Sequence, residues 1–180
     1  MRLFVALPLP GAVTGALQDL QDALGQGRPV PAENMHLTLA FLDEQTPLVA
    51  EAVHEELEGI ARAGFVLRLR GLGTFGAAAP TVVFAGVEPC EALTGLRDAV
   101  HRAARAAGVT LPRERFRPHV TLARFGKGRA GPMPDRLARF MEAHATFAPE
   151  PFAVTRFGLY RSHLARDGAT HDLLADYPLG

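Results

Sequence analysis

Apolar residues along this chain recur with two different periods, and the changes between them outline its elements. Residues 2–8 are apolar almost throughout and end at a proline, which predicts a strand. Over residues 11–25 the spacing lengthens, and Val13, Ala16, Leu17, Leu20 and Leu24 fall on one stripe. That is a helix, closed by Gly25 and Gly27, with Pro29 and Pro31 holding the following loop extended. Residues 35–42 predict a second strand. Thr46 and Pro47 then supply an N-cap and a first helical residue for a helix running to about Ala63 and closed by Gly64. Residues 65–71 alternate apolar and basic as a half-exposed strand, GLGTFGAAAP predicts a loop, and 81–88 predict a strand. The second half continues with a helix over 91–107, whose stripe is Leu93, Leu96, Val100, Ala103 and Ala104, and which stops at Gly108. A strand at 119–125, a Gly/Pro-rich loop at 126–134, a helix at 135–146 and strands at 151–160 and 170–177 complete the pattern.

Each half reads as strand, helix, strand, helix, strand, strand, with 81–88 ending one half and opening the next. This is the pattern of an internal duplication with little residual identity. Helices of 12–17 residues between strands imply α/β or α+β layers. Two pseudo-symmetric lobes, each a sheet backed by helices, would leave a cleft between them. Strand order is not readable from this pattern.

The second strand of each half carries the same four-residue signature: His36-Leu37-Thr38-Leu39 and His119-Val120-Thr121-Leu122. Successive side chains of a strand point to opposite faces. Each copy therefore sets one imidazole and one hydroxyl on one face and two apolar residues on the other, where a core would anchor them. A single His-x-Thr in a strand means little, because strand histidines are ordinary. Two copies at equivalent places are better explained by chemistry, since packing accounts for the leucines but not for the histidines.

Composition narrows the classes. The chain has 180 residues, is 48% hydrophobic and carries no formal net charge, with a pI near 7.1. It is long enough for one domain with a substantial core. It lacks the basic balance of a non-specific nucleic-acid binder, although an enzyme gripping one or two phosphates needs no such excess. The single cysteine, Cys90, rules out an intrachain disulfide and a cysteine-based metal site, and fits a reducing, cytoplasmic setting. The apolar N-terminus is too short and too proline-broken for a signal peptide, and no run of about 18 apolar residues predicts a membrane span.

Two imidazoles flanking a phosphodiester can divide acid–base work. The neutral one takes a proton from the attacking water or hydroxyl, and the cationic one gives a proton to the leaving oxygen. The hydroxyls of Thr38 and Thr121 can hold the non-bridging oxygens as charge grows on them. A metal is not required, and a cyclic phosphate fits because its ring opens with one nucleophile, one acid and one base.

With these motifs the chain resembles the two-histidine (2H) phosphoesterases, and most closely the RNA 2′,3′-cyclic phosphodiesterases of the LigT type. RLFVALPLP, NMHLTLAFLDE, PTVVFAG, FRPHVTLARF and FGLYRSHLARDG occur in family order over nearly the whole chain. The resemblance implies a single domain over 1–180: an α+β fold of two duplicated, pseudo-symmetric lobes, each an antiparallel-rich sheet backed by helices, around a central cleft. It implies hydrolysis of RNA or nucleoside 2′,3′-cyclic phosphates to 2′-phosphomonoesters without a cofactor or metal. His36 carries over as proton donor to the 3′ oxygen, His119 as proton acceptor from water, and Thr38 and Thr121 as phosphate contacts. The implied partners are RNA ends or nucleotides bearing the cyclic phosphate, with no membrane, no obligatory protein partner and a monomeric state. The alternatives are a 2′-5′ RNA ligase using the same site in reverse, a non-catalytic RNA- or nucleotide-binding module, and a hydrolase of a related ester. The family often has Gly-Glu where this chain has Asp43-Glu44, and a final-strand tyrosine where it has Thr170-His171-Asp172.

Other candidates have a structural reading beside the functional one. A cation at Arg124 could neutralise the phosphate, and the family's arginine there faces the site, but strict alternation puts Arg124 opposite His119 unless a bulge intervenes. Arg113, Arg115 and Arg117, with Phe116, form either a solvated loop or an RNA grip with a stacking ring. The Gly-Leu-Gly at 71–73 reads as a turn, not a phosphate loop. His54 and His101 are expected at the surface or half-buried, and His144 near a helix C-terminus. His163 and His171 fall on the family's substrate side, and Tyr160 is either core or pocket wall.

Overall fold

The computed structural model describes residues 1–76, 79–126, 135–165 and 168–180. Ten strands, four α-helices and one 3₁₀ turn are present among them. In chain order they are β1 (Arg2–Pro8), α1 (Gly11–Leu24), β2 (Arg28–Pro29), the 3₁₀ turn (Ala32–Asn34), β3 (His36–Glu44) and α2 (Pro47–Glu58). Then come β4 (Phe65–Leu67), β5 (Leu69–Phe75), β6 (Val82–Val87), α3 (Glu91–Ala106) and β7 (His119–Arg124). The last are α4 (Asp135–Ala143), β8 (Phe152–Val154), β9 (Arg156–Ala165) and β10 (Gly168–Pro178). The fold is α+β.

The main sheet runs β10-β9-β1-β3-β7-β6-β5, with β2 pairing β7, and all its pairings are antiparallel. The motif strands β3 and β7 are therefore neighbours at its middle. They pair only at Leu37↔Val120 among the described residues, and at Ala123 and Arg124 the short β2 pairs with β7. Each half-sheet is completed by strands from the other half of the sequence: β9 pairs β1, and β5 pairs β6.

Helix α1 buries Val13, Leu17, Leu20 and Leu24 and ends at Gly25, whose φ of +54° is the left-handed cap that glycine adopts without cost. Thr46 caps α2 by accepting a hydrogen bond from Val49 N–H, with Pro47 at the first helical position. All five residues of the expected α3 stripe are buried, and a fully buried leucine there is worth about 1.5–3 kcal/mol.

The structure corrects several boundaries. Helix α2 stops at Glu58 rather than near Ala63, because Ile60 turns in to pack on the core while residues 61–64 are all exposed and have no stripe to bury. The strand expected over 65–71 is two strands split at Arg68, one pairing β8 and the other β6. Likewise Thr155 divides β8 from β9. The stretch expected as a loop from Gly71 is largely strand β5 in a hairpin with β6. Gly73 does not break that strand; a side chain there would collide with the Phe84 ring that lies across it. Helix α4 ends at Ala143, not 146. Residues 127–134 of the expected Gly/Pro-rich loop lie outside the described residues.

Candidate active site

The pairing of Leu37 with Val120 sets the geometry of the motif face. Carried one residue either way, that antiparallel register places His36 opposite Thr121 and Thr38 opposite His119. All four are partly exposed, whereas Leu37, Leu39, Val120 and Leu122 are buried behind them.

Both rings are held by the same device. His36 Nδ1 donates to the carbonyl of Asn34 at 2.7 Å, and His119 Nδ1 donates to that of Arg117 at 2.8 Å. In each case the acceptor is two residues upstream. The neutral imidazole then carries its proton on Nδ1 and keeps Nε2 as a lone-pair base. Asn34 is itself buried and ties the C-terminal hairpin to this spot by donating to the Ala169 carbonyl at 2.6 Å.

A second shared device solves the Arg124 problem. In the β6–β7 ladder Phe84 pairs Thr121 and Val83 pairs Ala123, so Leu122 is an extra, bulged residue. Alternation resets there: Leu122 and Ala123 are both buried, and Arg124 emerges on the face of His119 and Thr121. Its guanidinium lies near enough to His36, His119 and His171 to disfavour protonation of all three. The β1–β3 ladder has the same irregularity, with Ala6 on Thr38, Val5 on Ala40, and Leu39 bulged. There the residue that emerges is Phe41, exposed beside Phe4.

The surroundings of the two imidazoles differ. His36 stacks on Phe4 at 4.7 Å, with Tyr160 beyond it and His171 edge-on at 5.1 Å. Burial, then the His171 charge, lower its pKa to about 4. His119 sits edge-on to Phe75 at 4.8 Å and near Phe84 at 5.2 Å, and burial lowers its pKa as well. A cavity of about 350 Å³ opens beside His36, lined by Pro8, Thr14, Glu33, Met35, Tyr160 and His171 among others. Tyr160 is thus pocket wall.

The other candidates divide. Phe116 is half-buried against the core, with the Arg97 guanidinium over its ring at 5.4 Å. Arg117 instead covers Phe75 at 4.9 Å, next to His119. His163 is exposed and bonded to Asp172, His54 to the Tyr177 hydroxyl, and His144 lies just past the end of α4 against Phe140. His101, expected at the surface or half-buried, is buried in α3. Among the described residues no group of three or more His, Cys, Asp or Glu side chains has the arrangement to hold a metal ion, and no helix is long and apolar enough to cross a membrane. Phe4 escaped sequence reasoning because an aromatic in an apolar run is indistinguishable from core, and Phe75 because its glycine-rich stretch reads as a loop. Asn34, just before the first motif, carried no signal beyond its position.

This chain matches the family model of the 2′-5′ RNA ligase superfamily over residues 8–166. It is 33% identical to an RNA 2′,3′-cyclic phosphodiesterase of Geobacillus stearothermophilus over 98% of this chain, and spans 56% of that relative's length. To the RNA 2′,3′-cyclic phosphodiesterase of Aeropyrum pernix it is 34% identical, over 90% of this chain and 94% of the relative. Among solved structures it is similar to E. coli LigT complexed with 3′-AMP, at TM-score 0.77 and 29% identity, over 99% of this chain and 96% of that one.

Proposed function

Since the chain belongs to the 2′-5′ RNA ligase superfamily, we propose that it hydrolyses RNA or nucleoside 2′,3′-cyclic phosphates to 2′-phosphomonoesters by metal-independent acid–base catalysis. The observation that carries this reading is the pair of imidazoles on adjoining strands, each with Nδ1 tied to a backbone carbonyl and Nε2 left for chemistry. Relatives over most of this chain are RNA 2′,3′-cyclic phosphodiesterases.

In this mechanism His119 Nε2 accepts a proton from the attacking water as its oxygen bonds to phosphorus. The bond from phosphorus to the 3′ oxygen breaks, and that oxygen takes a proton from His36 Nε2. The 2′ ester stays intact, and solvent returns the proton from His119 to His36. Thr38, Thr121 and Arg124 hold the non-bridging oxygens, where developing charge makes fixed donors most effective. His36 must be cationic to serve as acid, yet burial and the His171 charge lower its pKa to about 4. The anionic phosphate supplies the missing counter-charge, so substrate binding raises the pKa of both imidazoles.

The domain is read as a duplication of two lobes, supported by the shared bulge and the shared carbonyl anchors. The proposal places it in the cytoplasm, acting as a monomer on RNA ends or nucleotides.

The test is turnover of 2′,3′-cyclic nucleotides and of a cyclic-phosphate-ended oligoribonucleotide, in EDTA, with the product phosphate located. A 2′-phosphate from wild type is expected. No product from a folded protein, or activity abolished by EDTA and restored by metal, would overturn the reading. With a 5′ hydroxyl in place of water as the nucleophile, the same groups would join it to the cyclic phosphate through a 2′-5′ linkage as the 3′ oxygen leaves, so a 5′-hydroxyl oligonucleotide belongs in the same assay.

A further inference from the structure

Two buried or half-buried polar side chains lie outside this machinery and have counterparts in each other. His101 is the eleventh residue of α3, counting from Glu91, and Gln21 is the eleventh of α1, counting from Gly11. His101 Nε2–H donates to the Leu39 carbonyl at 3.2 Å. The Gln21 amide nitrogen donates to the Leu122 carbonyl at 2.8 Å, and also to that of Val30 at 2.8 Å. Leu39 and Leu122 are the bulged residues that directly follow the two motif threonines.

The bonds also cross. Helix α3, from the second half of the sequence, packs on β3 of the first, and α1, from the first half, packs on β7 of the second. A bulge takes a carbonyl out of the regular ladder, and a carbonyl buried without a donor is costly. Each bulge is what sets the next side chains of its strand on or off the motif face.

We propose that His101 and Gln21 are reciprocal positioning residues: each fixes the bulge of the motif strand belonging to the opposite half, and thereby the placement of that strand's histidine and threonine. The inference rests on the two-histidine reading for its catalytic consequence. The two braces are unequal. The Leu122 carbonyl also accepts from Val30 N–H at 2.9 Å, so it keeps a donor when Gln21 is lost.

The test compares His101→Leu, His101→Gln, Gln21→Leu and, as a packing control in the same helix, Val100→Ala. In His101→Leu, kcat is expected to fall about tenfold with KM within about twofold, because a misplaced acid costs rate rather than binding. His101→Gln copies the side chain that performs this task in α1 and is expected to recover kcat to within about threefold of wild type. Gln21→Leu is expected to cost about threefold. Val100→Ala should lower Tm without changing kcat. Imidazole proton–nitrogen spectra supply a readout that needs no turnover. His101→Leu should move the His36 signals and spare His119, and Gln21→Leu should do the reverse. Signals that move together, or within the same half, would overturn the proposal. So would a His101→Gln enzyme no better than His101→Leu, or a Val100→Ala enzyme equally slowed. If wild type hydrolyses no cyclic phosphate, the functional reading fails while the crossed spectral pattern still decides this one.

Discussion

The two motif strands are built alike and placed in different surroundings. Each has a histidine whose Nδ1 bonds the carbonyl two residues back, a threonine two residues on, and a bulged leucine next. After the bulge they part: β7 presents Arg124, and β3 presents Phe41. The His36 ring is packed among Phe4 and His171 with Tyr160 beyond, and its pKa is lowered to about 4. His119 has Phe75, Phe84 and Arg117 around it. A common backbone thus delivers two imidazoles in equivalent geometry, and the neighbouring side chains make them chemically unequal. In the proposed mechanism the similar reach serves both proton transfers at one phosphorus, while the lowered pKa of His36 is offset by the bound phosphate anion so that this ring can act as the acid.

The largest effect expected is loss of either imidazole. His36→Ala and His119→Ala should each lower kcat by at least about 100-fold while the fold survives. Near-normal turnover in one of them would reduce the pair to a single working histidine.

Next comes the residue after each bulge. Arg124→Ala should lower kcat/KM by about 10–100-fold, because a cation facing the phosphate is lost. Phe41→Ala, at the equivalent place, should change it by no more than about threefold. Equal losses would mean that the two strands contribute the same kind of group.

The pH profile separates the imidazoles themselves. Under the proposed mechanism, kcat/KM of the free protein depends on His36 being cationic and His119 neutral. The cationic fraction of His36 falls as pH rises through about 4, and the neutral fraction of His119 grows as pH rises through a pKa below the usual 6.5. Both limbs of the kcat/KM bell should therefore lie below pH 6.5, and those of kcat should move upward with the phosphate anion bound. His171→Asn removes a charge that lowers the His36 pKa, so one limb alone should shift to higher pH. A kcat/KM optimum above pH 8 would contradict this ordering.

The smallest effect concerns the end of β3. Asp43 has φ +54°, a conformation that glycine adopts freely. Asp43→Gly should stabilise the protein by about 0.5–1 kcal/mol, raising Tm by roughly 1–4 °C, with kcat unchanged. A lower Tm would mean that the aspartate contributes more than its backbone strain costs.

Much of the fold was written in local periodicity. The α1 and α3 stripes, the Thr46-Pro47 helix start and the two motif strands could be read because a helix or strand repeats its buried positions over several residues. Where an element changes partner, that signal fails. Leu67 and Leu69 are both buried and two apart, yet they belong to different sheets. The Gly71–Phe75 stretch looked like a loop because glycine marks both turns and close approaches, and only the Phe84 ring lying on Gly73 tells them apart.

By itself the sequence determined that two His-x-Thr pairs exist, that each shares one strand face, and that a leucine-rich back anchors them. Those are consequences of a period of two within a single strand. Tertiary structure alone decided that β3 and β7 meet at Leu37 and Val120, that the inserted Leu39 and Leu122 turn Phe41 and Arg124 to the motif face, and that His101 and Gln21 reach these bulges from the opposite halves. A bulge is defined by two residues facing one on a neighbouring strand, so no strand can declare it alone. The pKa of His36 is likewise set by rings and charges brought together from β1, β9, β10 and β7, far apart in the chain.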